Sequence, residues 1–179
     1  MSHNNSPLTE IVAELERYEA IDRSTVFRWM KTDDIEAMGA LMSLIGDGTH
    51  FDRVEPPLSL DDYYEFAATY YERCLAENPD GEWSDSRTTS GWDFAKWFLQ
   101  LWDDQSVPRT LVSDLKLRLA NVCKKGGAHI CKALVTAVLE HLFHRPDVRD
   151  YFRDWANDPE LRSSYEEANV LADLKARRK

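Results

Sequence analysis

Residues 90–102 carry the pattern that decides the fold, and they read SGWDFAKWFLQLW. The large apolar side chains of this stretch recur at intervals of three and four, and they are Phe94, Trp97, Phe98, Leu101 and Trp102. A helix turns once every 3.6 residues, so this spacing places them on one helical face. Ser90 precedes the pattern and Asp93 follows three residues later, a pairing typical of a helix N-terminus. The stretch therefore predicts a helix with a buried aromatic face.

The same periodicity extends along most of the chain. No stretch alternates convincingly between apolar and polar residues, as a half-buried strand would. Glycine and proline separate the periodic segments, and an oxygen-bearing residue stands at the predicted start of several of them. These predicted N-caps are Ser6, Thr32, Ser59, Ser90 and Asp158. We therefore predict an all-α fold, a bundle of about eight or nine helices.

The length of the chain bounds its domain organisation. With 179 residues, 43% of them hydrophobic, it fits one ordinary globular domain. We predict a single helical domain over residues 1–179, with frayed ends at about 1–5 and 175–179. Only 7 Gly and 7 Pro are present, which excludes collagen-like and low-complexity chains. No apolar run approaches the ~18 residues of a membrane-spanning helix, and we expect no membrane contact.

Charge is unevenly distributed along the sequence. The formal net charge is −10, with 22 acidic and 8 basic residues in 1–106 against 10 acidic and 14 basic residues in 107–179. A protein that binds phosphates over its whole surface needs a basic footprint, which this chain lacks. The N-terminal three-fifths of the chain therefore carries an acidic field.

The cysteines bear on the cellular compartment. There are three of them, Cys74, Cys123 and Cys131, and the first residues lack the basic start and apolar stretch of a secretion signal. An odd number of cysteines without a signal is typical of reduced thiols. We therefore predict free thiols and a cytoplasmic location.

One group of residues has the composition of a zinc site, namely Cys123, His129, Cys131, His141 and His144. On a helix at about 100° per residue, His129 and Cys131 point to nearly opposite sides. His129 and His144 lie roughly 22 Å apart along such a helix. The spacing does not favour one shared ion, and we predict no metal and no cofactor.

Two alternatives from other classes remain open. A helical hydrolase could gather histidines and carboxylates in a cleft, although no Gly-x-Ser-x-Gly or phosphate-binding glycine motif is present. A nucleic-acid-binding module could use residues 107–145, which carry six closely spaced bases, Arg109, Lys116, Arg118, Lys124, Lys125 and Lys132. These bases flank an apolar stripe on both sides, as on the solvated border of a packed helix.

Binding to another protein requires no catalytic or phosphate-binding motif, unlike the two alternatives above. Two long predicted loops favour this function. Residues 46–58 and 78–89 exceed the 2 to 8 residues usual between bundle helices. The first loop contains Asp47, Asp52 and Glu55, and in the second Asp80, Glu82 and Asp85 surround Trp83. An aromatic anchor ringed by charge is typical of a protein-binding hot spot. These seven residues are the predicted partner-binding site. The other interpretation is that Trp83 folds over the edge of the core and that the acids keep the protein soluble.

In size, acidity and helical pattern the chain resembles small bacterial proteins that neutralise a toxin or enzyme by covering its basic active face. No motif carries this likeness, which concerns the class alone and transfers no residues. It implies an immunity or inhibitor protein. We expect a cytoplasmic protein that acts by contact with a partner whose face is basic or of mixed charge.

Overall fold

The computed structural model of the chain describes residues 6–17, 19–46 and 51–177, and of Phe51 only the backbone. The structure is 75% helical, with one small sheet of two strands in the described part. The predicted all-α class is confirmed. No helix among the described residues is both long enough and apolar enough to cross a bilayer.

The helices follow in the order α1 (Pro7–Leu15), α2 (Arg23–Trp29), α3 (Ile35–Ile45), α4 (Leu60–Glu77), α5 (Arg87–Asp103), α6 (Arg109–Leu134), α7 (Glu140–Leu142), α8 (Pro146–Tyr151) and α9 (Arg162–Ala176). A π-helical turn, Val135–Leu139, joins α6 to α7, and short 3-10 turns occupy Phe51–Arg53 and Arg153–Asn157. The strands β1 (Ile21–Asp22) and β2 (Val54–Glu55) pair in parallel, with Ile21 opposite Val54.

The chain packs into two compact units. We call residues 1–74 and 79–85 the N-terminal unit, and residues 75–78 and 86–179 the C-terminal unit. The single domain over residues 1–179 stays a prediction. Its predicted frayed ends, 1–5 and 175–179, lie mostly outside the described residues, while α9 continues to Ala176 and the Nζ of Lys175 lies 2.9 Å from a carboxylate oxygen of Glu140.

In the N-terminal unit, α1 packs against α3 over a buried apolar core. Helix α1 begins as predicted, because the Ser6 side chain accepts a hydrogen bond from the Thr9 backbone N–H and Pro7 takes the first helical position. The largest core side chains come from α1, α3 and α4, and they include Ile11, Leu41, Ile45 and Tyr70. Arg53 donates to the backbone carbonyls of Glu14, Arg17 and Glu19, which fixes residues 51–55 to the end of α1.

Ser59 and Thr32 are both predicted N-caps in this unit, and the structure confirms only Ser59. Ser59 caps α4 as predicted, since its hydroxyl accepts from the Asp62 N–H and the Asp62 carboxylate accepts from the Ser59 N–H. The prediction that Thr32 caps the next helix, α3, is wrong. Thr32 instead accepts from the Asp34 N–H in a turn, and Asp34 caps α3 through the Glu36 N–H at 3.0 Å.

The C-terminal unit is built around the aromatic face of α5. Phe94, Phe98 and Leu101 are buried, as the sequence predicts. Phe98 stacks on Trp102 at a centroid distance of 6.3 Å and meets Phe152 at 5.8 Å. The predicted core face is therefore confirmed for Phe94, Trp97, Phe98 and Leu101, whereas Trp102 is half-buried.

Two helix starts of the C-terminal unit differ from the prediction. Helix α5 begins at Arg87, because Ser86 rather than Ser90 accepts from the Thr89 N–H. The second loop is therefore shorter than predicted and covers residues 78–86. Asp158 caps a turn through the Glu160 N–H, and α9 begins only at Arg162.

Helix α6 is kinked at Gly127, whose φ of 71° interrupts the helical backbone. The kink brings the Cα atoms of Cys123 and Cys131 to 4.3 Å, and the two cysteines form a disulfide. In a straight helix, eight residues span about 12 Å. The prediction of three reduced thiols is therefore wrong for this structure, in which Cys74, buried in the N-terminal unit, takes no part in the disulfide.

Candidate functional site

The acidic charge of the molecule belongs to the N-terminal unit. That unit contains 18 acidic and 6 basic residues, a formal net charge of −12, whereas the C-terminal unit contains 14 acidic and 16 basic residues, a net charge of +2. Along the sequence the change of charge falls near residue 106. The division into units differs from this, because residues 75–78 and 86–106 belong to the C-terminal unit.

Several bases of the N-terminal unit are engaged within the unit. Arg28 pairs with Glu10 at 2.7 Å, Arg17 pairs with Glu14 at 2.9 Å, and Arg53 binds backbone carbonyls. Many exposed carboxylates of the unit, by contrast, form no ion pair with another described residue. They are Glu16, Glu19, Asp33, Asp52, Glu55, Asp61, Asp80 and Glu82. The unit therefore presents unneutralised negative charge to solvent.

The predicted partner-binding residues fall into three groups. Asp52, Glu55, Asp80 and Glu82 are exposed, as a binding surface requires, whereas Asp47 lies outside the described residues. Trp83 and Asp85 are half-buried. All of the described ones belong to the N-terminal unit, and their role in binding stays a prediction.

Glu36 holds the second loop on α3, a role that sequence reasoning missed. Its carboxylate accepts from the backbone N–H of Trp83 at 3.0 Å and of Ser84 at 3.1 Å, and also from the Ser84 hydroxyl. Burial raises the pKa of Glu36, but these donors lower it more, so the pKa lies below its usual range. An ionised Glu36 therefore fixes the backbone that carries Trp83.

A second clamp holds the end of the same loop. The Tyr70 hydroxyl donates to the Asp85 carboxylate at 3.0 Å and accepts from the Asp85 N–H at 3.0 Å. Burial raises the pKa of Tyr70, so the phenol stays protonated and able to donate. Asp85 is thus bound to the protein itself, and the freely exposed acids of this loop are Asp80 and Glu82.

The N-terminal unit also contains an open groove of about 580 Å³ between α2, α3 and α4. Its apolar lining consists of Phe27, Met30, Met38 and Phe66. Its polar lining consists of Lys31, Thr32, Asp33, Asp62, Glu65, Thr69 and Arg73. The size is in the range of ligand pockets, roughly 300 to 1,000 Å³. No pattern in the sequence indicates this groove.

The charged groups of the groove are held in different ways. Arg73 donates through Nη1 to the Asp33 backbone carbonyl at 2.7 Å, which holds its guanidinium against the wall. Hydrogen bonds from Ser59, which donates from its backbone N–H and its hydroxyl, hold the pKa of Asp62 below its usual range. Asp62 is therefore ionised at neutral pH. We call the apolar lining residues the floor of the groove and the charged lining residues its rim.

The residues considered for a zinc site do not come together. Cys123 and Cys131 are joined in the disulfide, and His129 and His144 are exposed. In the part of the chain that the structure describes, no three His, Cys, Asp or Glu side chains are placed to hold a metal ion. The absence of metal and cofactor stays a prediction.

His141 is the histidine nearest to a described cleft. It contacts Trp92 edge-on at 5.7 Å in a hollow of about 390 Å³, where Trp92 is 56% exposed. Burial lowers the pKa of His141, and its Nε2 lies 3.6 Å from a Glu140 carboxylate oxygen. The described residues that line the hollow include no serine, threonine or cysteine, so it offers no hydroxyl or thiol nucleophile to the ring.

The basic cluster of residues 107–145 is largely engaged within the C-terminal unit. Lys116, Arg118 and Lys124 pair with Asp154, Asp114 and Asp158 respectively. Arg109 lies over the Trp102 ring at 4.7 Å. Bases already neutralised by acids favour a structural role over phosphate contacts.

No protein-family model matches the chain, and neither do curated proteins or solved structures.

Proposed function

We propose that the protein acts by binding another protein, whose face is basic or of mixed charge, through the acidic surface of its N-terminal unit. The observation that supports this most directly is the separation of charge, with −12 on the N-terminal unit and +2 on the C-terminal unit. Unpaired carboxylates at a protein surface raise the rate of encounter with a cationic partner.

The second loop supplies a fixed element within this surface. Because Glu36 and Tyr70 fix its backbone, the loop loses little conformational freedom when a partner binds. Trp83 is half-buried, and the exposed Asp80 and Glu82 precede it in the loop. A preorganised aromatic group flanked by charge is the composition of an interface hot spot.

The finer role that we propose is that of an inhibitor or immunity protein, which covers the basic active face of an enzyme or toxin. A rigid acidic surface suits this role, because such a face is itself complementary to anionic groups. The role requires that the captured partner lose activity when the protein binds.

Affinity capture with the tagged protein, followed by identification of what copurifies, tests the proposal when three variants are compared. The first, Glu55→Gln, Asp80→Asn and Glu82→Gln, removes three exposed charges from the N-terminal unit. We expect it to recover much less of a basic partner than the parent protein does. Trp83→Ala should also lower recovery, because the loss of a hot-spot side chain costs about 2 kcal/mol or more, which is about thirtyfold in affinity.

The matched control removes three exposed charges from the C-terminal unit through Glu160→Gln, Glu166→Gln and Glu167→Gln. It should recover the partner as the parent protein does. Equal losses in the two triple variants would contradict binding through the N-terminal unit, and so would a partner with no basic surface. Unfolding in denaturant must show that every variant is folded.

A cytoplasmic location is part of this proposal, and the cysteines test it. Disulfides are rare in cytosolic proteins. In the cytoplasm, Cys123 and Cys131 would therefore be held as thiols, although the structure joins them. Cells quenched in acid and alkylated under denaturing conditions should yield three alkylated cysteines per chain. One alkylated cysteine, Cys74, would contradict the cytoplasmic location.

A further inference from the structure

We infer that the groove between α2, α3 and α4 receives an amphipathic, positively charged helical segment of the partner. This inference rests on the proposed function, because it places a particular part of the partner on the acidic N-terminal unit. It adds a site that lies outside the predicted loop residues, with its own lining and its own chemistry.

The floor of the groove favours a bound segment that has an apolar face. Met38 and Phe66 are buried at its base, and Phe27 and Met30 are half-buried at its side. Methionine side chains are flexible and polarisable, so they adapt to differently shaped apolar groups. Two aromatic rings and two thioethers in one open groove thus favour several aliphatic side chains over a single polar ligand. With a volume of about 580 Å³, the groove exceeds what one side chain fills.

The rim selects the charge of the segment. Three carboxylates, Asp33, Asp62 and Glu65, line the groove with two bases. The lining therefore contains one more acid than base, and its exposed Asp33 carboxylate forms no ion pair with another described residue. The field of the whole unit adds to the negative rim. An anionic segment would be repelled, whereas lysine or arginine can lay its methylene stem on the floor and reach the rim with its charged head.

A helix satisfies both conditions at once. On an amphipathic helix the residues at i, i+3, i+4 and i+7 form an apolar face, and basic residues border it. Laid in the groove, the apolar face would cover Met30, Met38 and Phe66, and the bordering bases would lie beside the exposed Asp33 carboxylate. The occupant is therefore a basic amphipathic helix.

The test uses a fluorescent peptide of about 16 residues built from Leu-Lys-Lys-Leu repeats, a length at which such a helix can form. A peptide with glutamate in place of lysine and an all-lysine peptide of equal length serve as comparisons. Fluorescence anisotropy should show the leucine–lysine peptide binding at least about tenfold more tightly than either. Equal binding of the all-lysine peptide would overturn the apolar part of the inference, and equal binding of the glutamate peptide would overturn the charged part.

Variants locate the binding. Thr69→Trp fills the groove without changing its charge, and Asp33→Asn with Glu65→Gln neutralises two rim groups. Each should weaken the leucine–lysine peptide by about tenfold or more. The matched control, Glu16→Gln with Asp61→Asn, removes the same two kinds of charge from exposed positions outside the groove lining and should change affinity by less than about threefold.

The outcomes separate this inference from the proposed function. If the control pair weakens the peptide as much as the rim pair, or if Thr69→Trp binds normally while folded, the peptide binds to the acidic field at large. The groove inference is then overturned, while capture of a basic partner through the unit is unaffected. Failure of every cationic peptide to bind also overturns it, and the capture experiment still tests the proposed function separately.

Discussion

Replacing Phe98 by alanine is expected to lower the free energy of unfolding by about 3 to 5 kcal/mol. Phe98 has no exposed surface and contacts Phe94, Trp102 and Phe152 in the aromatic core of the C-terminal unit. Its removal loses the transfer free energy of the ring and leaves a cavity that neighbouring rings cannot fully close. Urea unfolding followed by circular dichroism measures the loss.

The control for this prediction lies on the same helix. Trp92 is 56% exposed, so Trp92→Ala should cost less than about 1 kcal/mol although it also shortens an aromatic side chain. Losses of similar size in Phe98→Ala and Trp92→Ala would show that the burial assigned to the two faces of α5 is wrong.

Replacing Gly39 by alanine is expected to lower the free energy of unfolding by about 1 to 3 kcal/mol. Glycine to alanine inside a helix ordinarily stabilises a protein by up to about 1 kcal/mol, so the predicted sign is opposite to the usual one. The reason is that the second loop crosses α3 at this position. A Cβ on Gly39 would overlap the backbone carbonyl of Trp83 and approach the Cα of Ser84 to 2.9 Å.

The same substitution should also weaken partner binding, because the loop that carries Asp80, Glu82 and Trp83 must move to make room. Ser43→Ala, on the same helix, removes a hydrogen bond to the Gly39 carbonyl but adds no atoms near the loop, and it should leave binding unchanged. A Gly39→Ala protein that is more stable than the parent and binds normally would contradict the packing of the loop on α3.

Local sequence patterns predicted most of the helices because helix formation depends on near neighbours. The spacing of Phe94, Phe98 and Leu101 defines a buried face, and Ser6 and Ser59 are followed by the groups that complete their caps. The errors arose where two candidate caps compete. Asp34 lies two residues after Thr32, and Ser86 lies four residues before Ser90, and in each pair both residues are compatible with the pattern.

The periodicity of apolar residues does not predict contacts between residues that are far apart in the sequence. Glu36 lies on α3 and the residues it binds lie 47 and 48 positions later, so nothing near it in the sequence marks it as the residue that holds the loop. The groove requires α2, α3 and α4 to meet, and the disulfide requires the kink at Gly127. The acidic surface, in contrast, was predictable because charge is counted from the sequence alone.

The rate of association between this protein and its captured partner, measured as a function of salt, tests the central claim most directly. Screening shortens the Debye length from about 30 Å at 0.01 M to about 8 Å at 0.15 M. If the acidic N-terminal unit steers the encounter, the association rate constant should fall steeply over this range, by about tenfold or more. The dissociation rate should change much less.

The charge variants assign this salt dependence to a surface. The Glu55→Gln, Asp80→Asn, Glu82→Gln protein should associate more slowly at 0.01 M and show a shallower salt dependence, while the Glu160→Gln, Glu166→Gln, Glu167→Gln protein should behave as the parent does. An association rate that is independent of salt, or one that falls equally in both triple variants, would contradict binding through the acidic surface of the N-terminal unit.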